Sequence, residues 1–172
     1  ARQLRLDAPV ITDAQLAKIK AIDKPGLKAT TLSTLFEIDG GPGTLERAME
    51  ALCVKVDEAL DTCSTILILS DRGVDETHAP IPSLLATAGV HHHLVRNGTR
   101  TRAGIVVESG ELREVAQMAV LYGYGAGAVN PYLAFRTLED LAESGALPAG
   151  IDAEYAKQNF MKAAYKGLLK IM

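Results

Sequence analysis

Three apolar runs in this chain each end in a short polar cluster, and those clusters are where a function is to be sought. Ile66-Leu67-Ile68-Leu69-Ser70 runs into Asp71-Arg72-Gly73, Ile105-Val106-Val107-Glu108 into Ser109-Gly110, and Ala128-Val129-Asn130 into Pro131-Tyr132. Where parallel strands give way to helices, α/β folds gather their ligand chemistry. Asp71 and Arg72 would present a carboxylate and a guanidinium to a ligand or a neighbouring domain; the alternative is an ion pair that pins the loop. Glu108 could bind a cation or, if buried, act as a base, or instead accept from nearby amides. Ser109 is expected to cap the following helix, with Glu111 and Glu114 in its early turns. Asn130 precedes a proline and can fix that turn or meet a ligand. His78, in the loop beyond Gly73, is the imidazole best placed to join them. The candidate ligand or domain-interface residues are thus Asp71, Arg72, His78, Glu108, Ser109 and Asn130, with no complete catalytic set.

Other patterns carry less. His91-His92-His93 lies in a helical segment, where successive side chains point about 100° apart, so the three cannot converge on one metal ion; one is expected in the core, one in solvent and one on a polar partner. Gly123-Tyr124-Gly125-Ala126-Gly127 follows a helix and opens a strand, the reverse of a dinucleotide fingerprint. Ser70-Asp71-Arg72-Gly73 lacks the lysine of a Walker loop.

The elements that must hold these residues alternate. A short helix capped by Thr12 or Asp13 runs to about Lys20. A strand follows over Lys28–Phe36, then a turn at 39–43 rich in glycine. A helix from Thr44 carries Leu45, Ala48, Met49, Leu52, Val56, Ala59 and Leu60 on one stripe, with Cys53 beside it. Thr65–Leu69 is a strand apolar on both faces. Pro82 opens a helix that Asn97-Gly98 ends. Arg102–Glu108 and Ala126–Asn130 are further strands, with a helix between them, another over Leu133–Glu143, and a last one capped by Asp152 and running to the chain end. The order β-α-β-α-β-α-β-α-α predicts an α/β fold: a mainly parallel sheet of about four to five strands with flanking helices, half-barrel-like, an incomplete βα barrel.

The totals set limits. The 172 residues, 48% of them hydrophobic, suffice for one domain with a real core. A net charge of -3 implies no basic face and argues against nucleic acid. No apolar run approaches the roughly 20 residues that cross a bilayer, and Ala1-Arg2-Gln3-Leu4 turns polar again by Asp7, unlike a secretory signal. Cys53 and Cys63 are the two cysteines, without metal-ligand spacing, and are expected to be reduced thiols in a cytoplasmic or plastid-stroma setting. The final apolar run to Met172 has no Gly or Asn cap and predicts a piece of a longer polypeptide.

The stretches ILILSDRGVDETHAPIPSLLA (66–86), VHHHLVRNGTRTRAGIVVESGELREV (90–115) and LYGYGAGAVNPYLAFRTLEDL (121–141) resemble the central domain of the glutamate synthase large subunit (glutamine:2-oxoglutarate amidotransferase). The opening Leu6-Asp7-Ala8-Pro9-Val10 and the closing Lys166–Met172 are similar too. The resemblance implies a parent with an N-terminal glutaminase, this domain, a barrel binding FMN and an iron–sulfur cluster, and a C-terminal β-helix. Ammonia freed from glutamine would travel inside the protein to 2-oxoglutarate at the flavin, where reduction of the imine gives glutamate. It implies that this chain holds no cofactor, since residue 1 is Ala rather than the glutaminase cysteine and the cysteine cluster and flavin phosphate site are absent. The glutaminase and FMN-binding domains of the same polypeptide are the implied partners, and the excised domain could self-associate. The alternative is a free-standing α/β enzyme or small-ligand binder built on the six candidates.

Overall fold

A computed structural model describes residues 4–171; Ala1, Arg2, Gln3 and Met172 lie outside the described residues, as do the expectations that rested on them. Four strands run parallel at the centre of the molecule. They are β2 (Leu27–Ser33), β4 (Ile66–Ser70), β6 (Gly104–Glu108) and β7 (Ala126–Asn130), side by side in that order. A two-residue strand, β1 (Asp23–Lys24), adds antiparallel to the outer side of β2. The sheet is open, with β1 and β7 at its two ends. Residues 9–11 extend the β7 end, where the Ile11 amide donates to the Val129 carbonyl and the Val129 amide to the Pro9 carbonyl, both at 2.9 Å. An edge closed by the chain's own backbone offers less of a template for foreign strands.

Alternation along each strand divides the core into two. Leu67, Leu69, Ile105, Val107 and Val129 face one side, packed on α2 (Thr44–Asp61), α3 (Ser83–Arg96), α4 (Val115–Gly123), α5 (Tyr132–Glu143) and α6 (Ala153–Ile171). Leu52, Val56, Leu60, Val90, Leu94, Met118, Phe135 and Leu168 are their buried partners. Ile66, Ile68, Val106 and Ala128 face the other way. There a single short helix, α1 (Asp13–Lys20), lays Leu16 and Ile19 on them beside Ile11. The caps follow the sequence: Thr12 Oγ1 accepts from the Gln15 backbone amide and Gln15 Oε1 accepts from the Thr12 amide, while Asp152 Oδ1 accepts from the Tyr155 amide.

Four expectations need correcting. The strand expected over Lys28–Phe36 is two: β2 ends at Ser33, and β3 (Leu35–Glu37) turns away to pair antiparallel with β5 (His78–Pro80) in a separate ribbon. Thr34 makes the break, its amide and hydroxyl both donating to the Ser70 carbonyl while its own carbonyl accepts from Ile81 N. The strand expected from Arg102 begins at Gly104, because Arg100–Arg102 forms a single 3-10 turn. Ser109 caps no helix. Its hydroxyl is committed to Asp71, and α4 starts six residues later at Val115, capped by Glu114, whose amide donates in return to Gln117 Oε1. No histidine of the triplet is in the core: His92 is exposed, and His91 and His93 are half-buried.

Candidate functional site

The register of the central strands sets Ser70 beside Glu108 and Glu108 beside Asn130. Three polar strand ends therefore meet, and alternation sends their side chains to opposite faces of the sheet. Ser70, Glu108 and Asn130 project on the α1 side; Asp71 and Ser109 project toward the helical layer.

On the α1 side, Glu108 is the hub. Its side chain is 1% exposed yet carries two cationic partners. Lys20 Nζ at the end of α1 donates to Oε2 at 2.7 Å, Ser70 Oγ donates to the same oxygen at 2.6 Å, and Arg72 Nε donates to Oε1. Burial pushes this carboxyl up, but the bonds from Lys20, Ser70 and Arg72 outweigh it and hold the group below its ordinary value. Arg72 also reaches Asp13 Oδ1 at 3.4 Å, and its guanidinium lies 4.1 Å from the centre of the Tyr132 ring. Asn130, fully buried, donates from Nδ2 to the Ile11 carbonyl at 3.0 Å and to Asp13 Oδ1 at 2.8 Å. Asp13 and Lys20, at the two ends of α1, are thus both fastened to the strand ends. A pocket of about 180 Å³ among Asp13, Leu16, Ala17, Lys20, Arg72 and Glu108 remains between them.

On the helical side, Asp71 is the hub. Ser109 Oγ donates to its Oδ2 at 2.6 Å and the Gly110 amide to both oxygens at 3.1 Å. Tyr132 has its phenol pushed well above its usual value, first by burial and next by its hydroxyl's bond to Asp71. Glu111 then crosses to the start of α3, where its carboxylate accepts from the Ser83 amide at 2.9 Å and from the Ser83 hydroxyl. An acid at the first turn of a helix satisfies a free amide and complements the dipole.

Five of the six candidates are therefore brought together: Asp71, Arg72, Glu108, Ser109 and Asn130. His78 is not. It sits in the β3–β5 ribbon, its Nδ1 2.9 Å from Asp75 Oδ1 and from Thr77 Oγ1. Bonds from the Thr77 amide and the His78 ring hold the Asp75 carboxyl well below its usual range. Of the adjacent histidines, His93 Nε2 pairs with Asp57 at 2.9 Å and His91 Nδ1 accepts from Arg100 Nε at 3.0 Å. No group of three or more His, Cys, Asp or Glu among the described residues could hold a metal ion. Sequence reasoning missed Asp13 and Lys20 as site residues, because α1 is 88 positions from Glu108 at Lys20. It also passed over Ser70 and Tyr132, although both belong to the clusters that marked the strand ends.

Chemically, this arrangement neutralises itself. The Glu108 carboxylate has three donors, Arg72 has two carboxylates and a ring, and Asp71 accepts from a hydroxyl and an amide. A base or nucleophile needs a lone pair or a proton free for substrate, and these groups spend theirs on one another. What fold and site define is an α/β scaffold whose strand ends are tied to its first helix.

The family is then given by comparison. The model of the glutamate synthase central domain matches residues 1–172, and the chain belongs to that family. It is 39% identical over 171 residues to the glutamate synthase [NADPH] large chain of Bacillus subtilis, covering 99% of this chain and 11% of that one. It is 39% identical over 184 residues to the chloroplastic ferredoxin-dependent glutamate synthase of Spinacia oleracea, covering 100% of this chain and 11% of the relative. Against the glutamate synthase [NADH] of Schizosaccharomyces pombe the identity is 38%, over 99% of this chain and 8% of the relative. The chain spans about a tenth of the length of these relatives. No helix among the described residues is long and apolar enough to cross a membrane.

Proposed function

We propose that residues 1–172 are the connecting domain of a glutamate synthase, holding the glutaminase site and the FMN/2-oxoglutarate site in register and contributing to the wall of the ammonia path. The parent reaction converts glutamine, 2-oxoglutarate and reductant to two glutamates. FMN and the iron–sulfur cluster belong to other parts of that polypeptide, which works in the cytoplasm or plastid stroma. Its glutaminase and FMN-binding domains are the partners of this one. The observation that carries the reading is the mutual engagement of Glu108, Arg72 and Asp71 with their neighbours at the strand ends, inside a chain whose whole length matches the central domain. Where a βα enzyme would keep its reactive groups available, Glu108, Arg72 and Asp71 are consumed in fastening α1 and the loops. A rigid element suits a relay between two distant sites, because free ammonia is protonated or lost if the two fall out of register.

Two measurements test it. The isolated chain should bind no flavin, hydrolyse no glutamine and form no glutamate; sustained turnover of any of these by residues 1–172 alone overturns the proposal. In the parent polypeptide, loosening α1 with Asp13→Ala and Lys20→Ala should raise the glutamine hydrolysed per glutamate made from 2-oxoglutarate, as ammonia escapes. An unchanged ratio with α1 demonstrably loosened would count against the domain's part in the path.

A further inference from the structure

At the opposite end of the α1 face no α-helix residue lines the surface among the described residues. Here lies a pocket of about 500 Å³, floored by Leu6, Leu27, Ile66, Val106 and Ala128. Two features set it apart from an ordinary gap. First, Gly104 and Gly127 leave the sheet backbone uncovered. Among the described residues, a Cβ at Gly104 would meet nothing within 4 Å, and at Gly127 only the Ile105 carbonyl at 3.5 Å. Glycine inside a strand is costly in entropy and marks places where another backbone or a ligand comes close. Second, Arg100 and Arg102 line the same pocket, and neither forms an ion pair among the described residues. Arg100 is nevertheless held still. Its Nε donates to His91, its two other nitrogens to the carbonyls of Ala103 at 2.9 Å and Gly125 at 2.8 Å, all neutral acceptors. Arg102 donates to the Leu60 carbonyl at 2.9 Å. Each guanidinium keeps donors in reserve and its full charge. A cation immobilised by neutral partners is preorganised for an anion, having already lost its side-chain freedom.

We infer that this pocket seats a segment of another domain of the parent polypeptide, one that lays an apolar side chain on the bare strands and a carboxylate against Arg100 and Arg102. The seat rests on the proposed connecting role, since it needs a parent chain beyond residues 1–172. Charge complementarity selects an acidic segment, and the apolar floor selects a large side chain next to it. The extent of the relatives, some nine-tenths of which lies outside the matched region, supplies the candidates.

The test uses the full parent polypeptide with Arg102→Lys, which preserves charge and provides an amine that a carbodiimide couples directly to a carboxylate it touches. The expected product is one peptide from the 97–105 region joined to a carboxylate-bearing peptide outside residues 1–172 of the same chain. Adding Gly104→Val, which fills the floor without meeting a neighbour, should lower that yield roughly tenfold or more while amide exchange in β4 and β6 stays unchanged. No such product, a coupling confined to residues 1–172, a coupling between two copies of the chain, or a retained small amphiphilic anion released on denaturation would each overturn the inference. The readout is independent of turnover. A parent that makes glutamate normally yet yields no coupled peptide overturns the seat alone, and an isolated chain that turns over overturns the function whatever the coupling shows.

Discussion

Replacing Glu108 by Gln is the perturbation that most directly interrogates the strand-end network. The carboxylate is 1% exposed and takes bonds from Lys20, Ser70 and Arg72. The amide keeps the shape and one acceptor oxygen but loses the charge, and turns N–H groups toward donors. Hydrogen bonds to charged groups contribute about 1.5–3 kcal/mol each. Lys20 and Arg72 are 35% and 45% exposed, so water compensates them in part on release. The net cost is about 2–3 kcal/mol, less than the full penalty for breaking a buried pair. For a chain of this length that lowers Tm by roughly 4–12 °C. The pH dependence follows from the depressed carboxyl. A folded value below the unfolded one gives stability that is complete above the ordinary carboxylate pKa of about 4.3 and is lost as pH falls through the lower folded value. Urea unfolding of both chains at neutral and acidic pH should therefore show a gap that narrows below about pH 4. Amide exchange should show α1 opening ahead of the sheet. A gap under about 0.5 kcal/mol at neutral pH, or one that widens with acid, would refute the clamp.

Asp71→Asn should let a tyrosine titrate at lower pH in an alkaline absorbance titration, because the Asp71 charge helps hold the Tyr132 phenol up; an unmoved profile would remove Asp71 as a cause. Gly125→Ala should destabilise by roughly 2–4 kcal/mol in urea, since φ is +100° and the new Cβ would strike the His91 ring that Arg100 holds in place. Tyr122→Phe removes the hydroxyl bond to the Pro9 carbonyl at 2.8 Å. That carbonyl still accepts from Val129, so the cost should stay near about 0.5–1.5 kcal/mol, with faster exchange at the Ile11 amide as the local sign.

The central strands were legible because an unbroken apolar run such as Ile66–Leu69 has few other places to go, and α2 because its stripe repeats at helical spacing. Thr34 defeated the reading of β2. No Gly or Pro marks the break, which is made by bonds to Ser70 and Ile81, 36 and 47 positions away. Ser109 failed as a cap for a similar reason: its hydroxyl had a stronger acceptor in Asp71, 38 positions earlier. The true cap, Glu114 with Gln117 three residues on, has the spacing of a capping box and could have been found. Strand-end position anticipated that five of the candidates would lie together. Nothing local in Asp13 or Lys20 says that α1 folds back across the sheet to meet them, and nothing local in His78 says that β5 leaves for a separate ribbon.

The distribution of charge satisfaction around the sheet reverses what βα folds usually show. Their C-terminal strand edge is commonly the open one. Here that edge is filled by Asp13, Lys20, Arg72 and Glu108, whose charges cancel locally. At the opposite edge Arg100 and Arg102 line a pocket together with Gly104 and Gly127, and form no ion pair among the described residues. Charges that already balance bind little that is new, whereas a fixed cation without a counter-charge gains from any matching partner. If the domain connects two sites in a longer chain, its rigidity should come from the balanced edge and its attachment from the unbalanced one. Variants at the first edge, Glu108→Gln among them, should then loosen α1 and lower stability within the domain. Gly104→Val at the second should leave the domain's stability intact and disturb only how it sits on its neighbours.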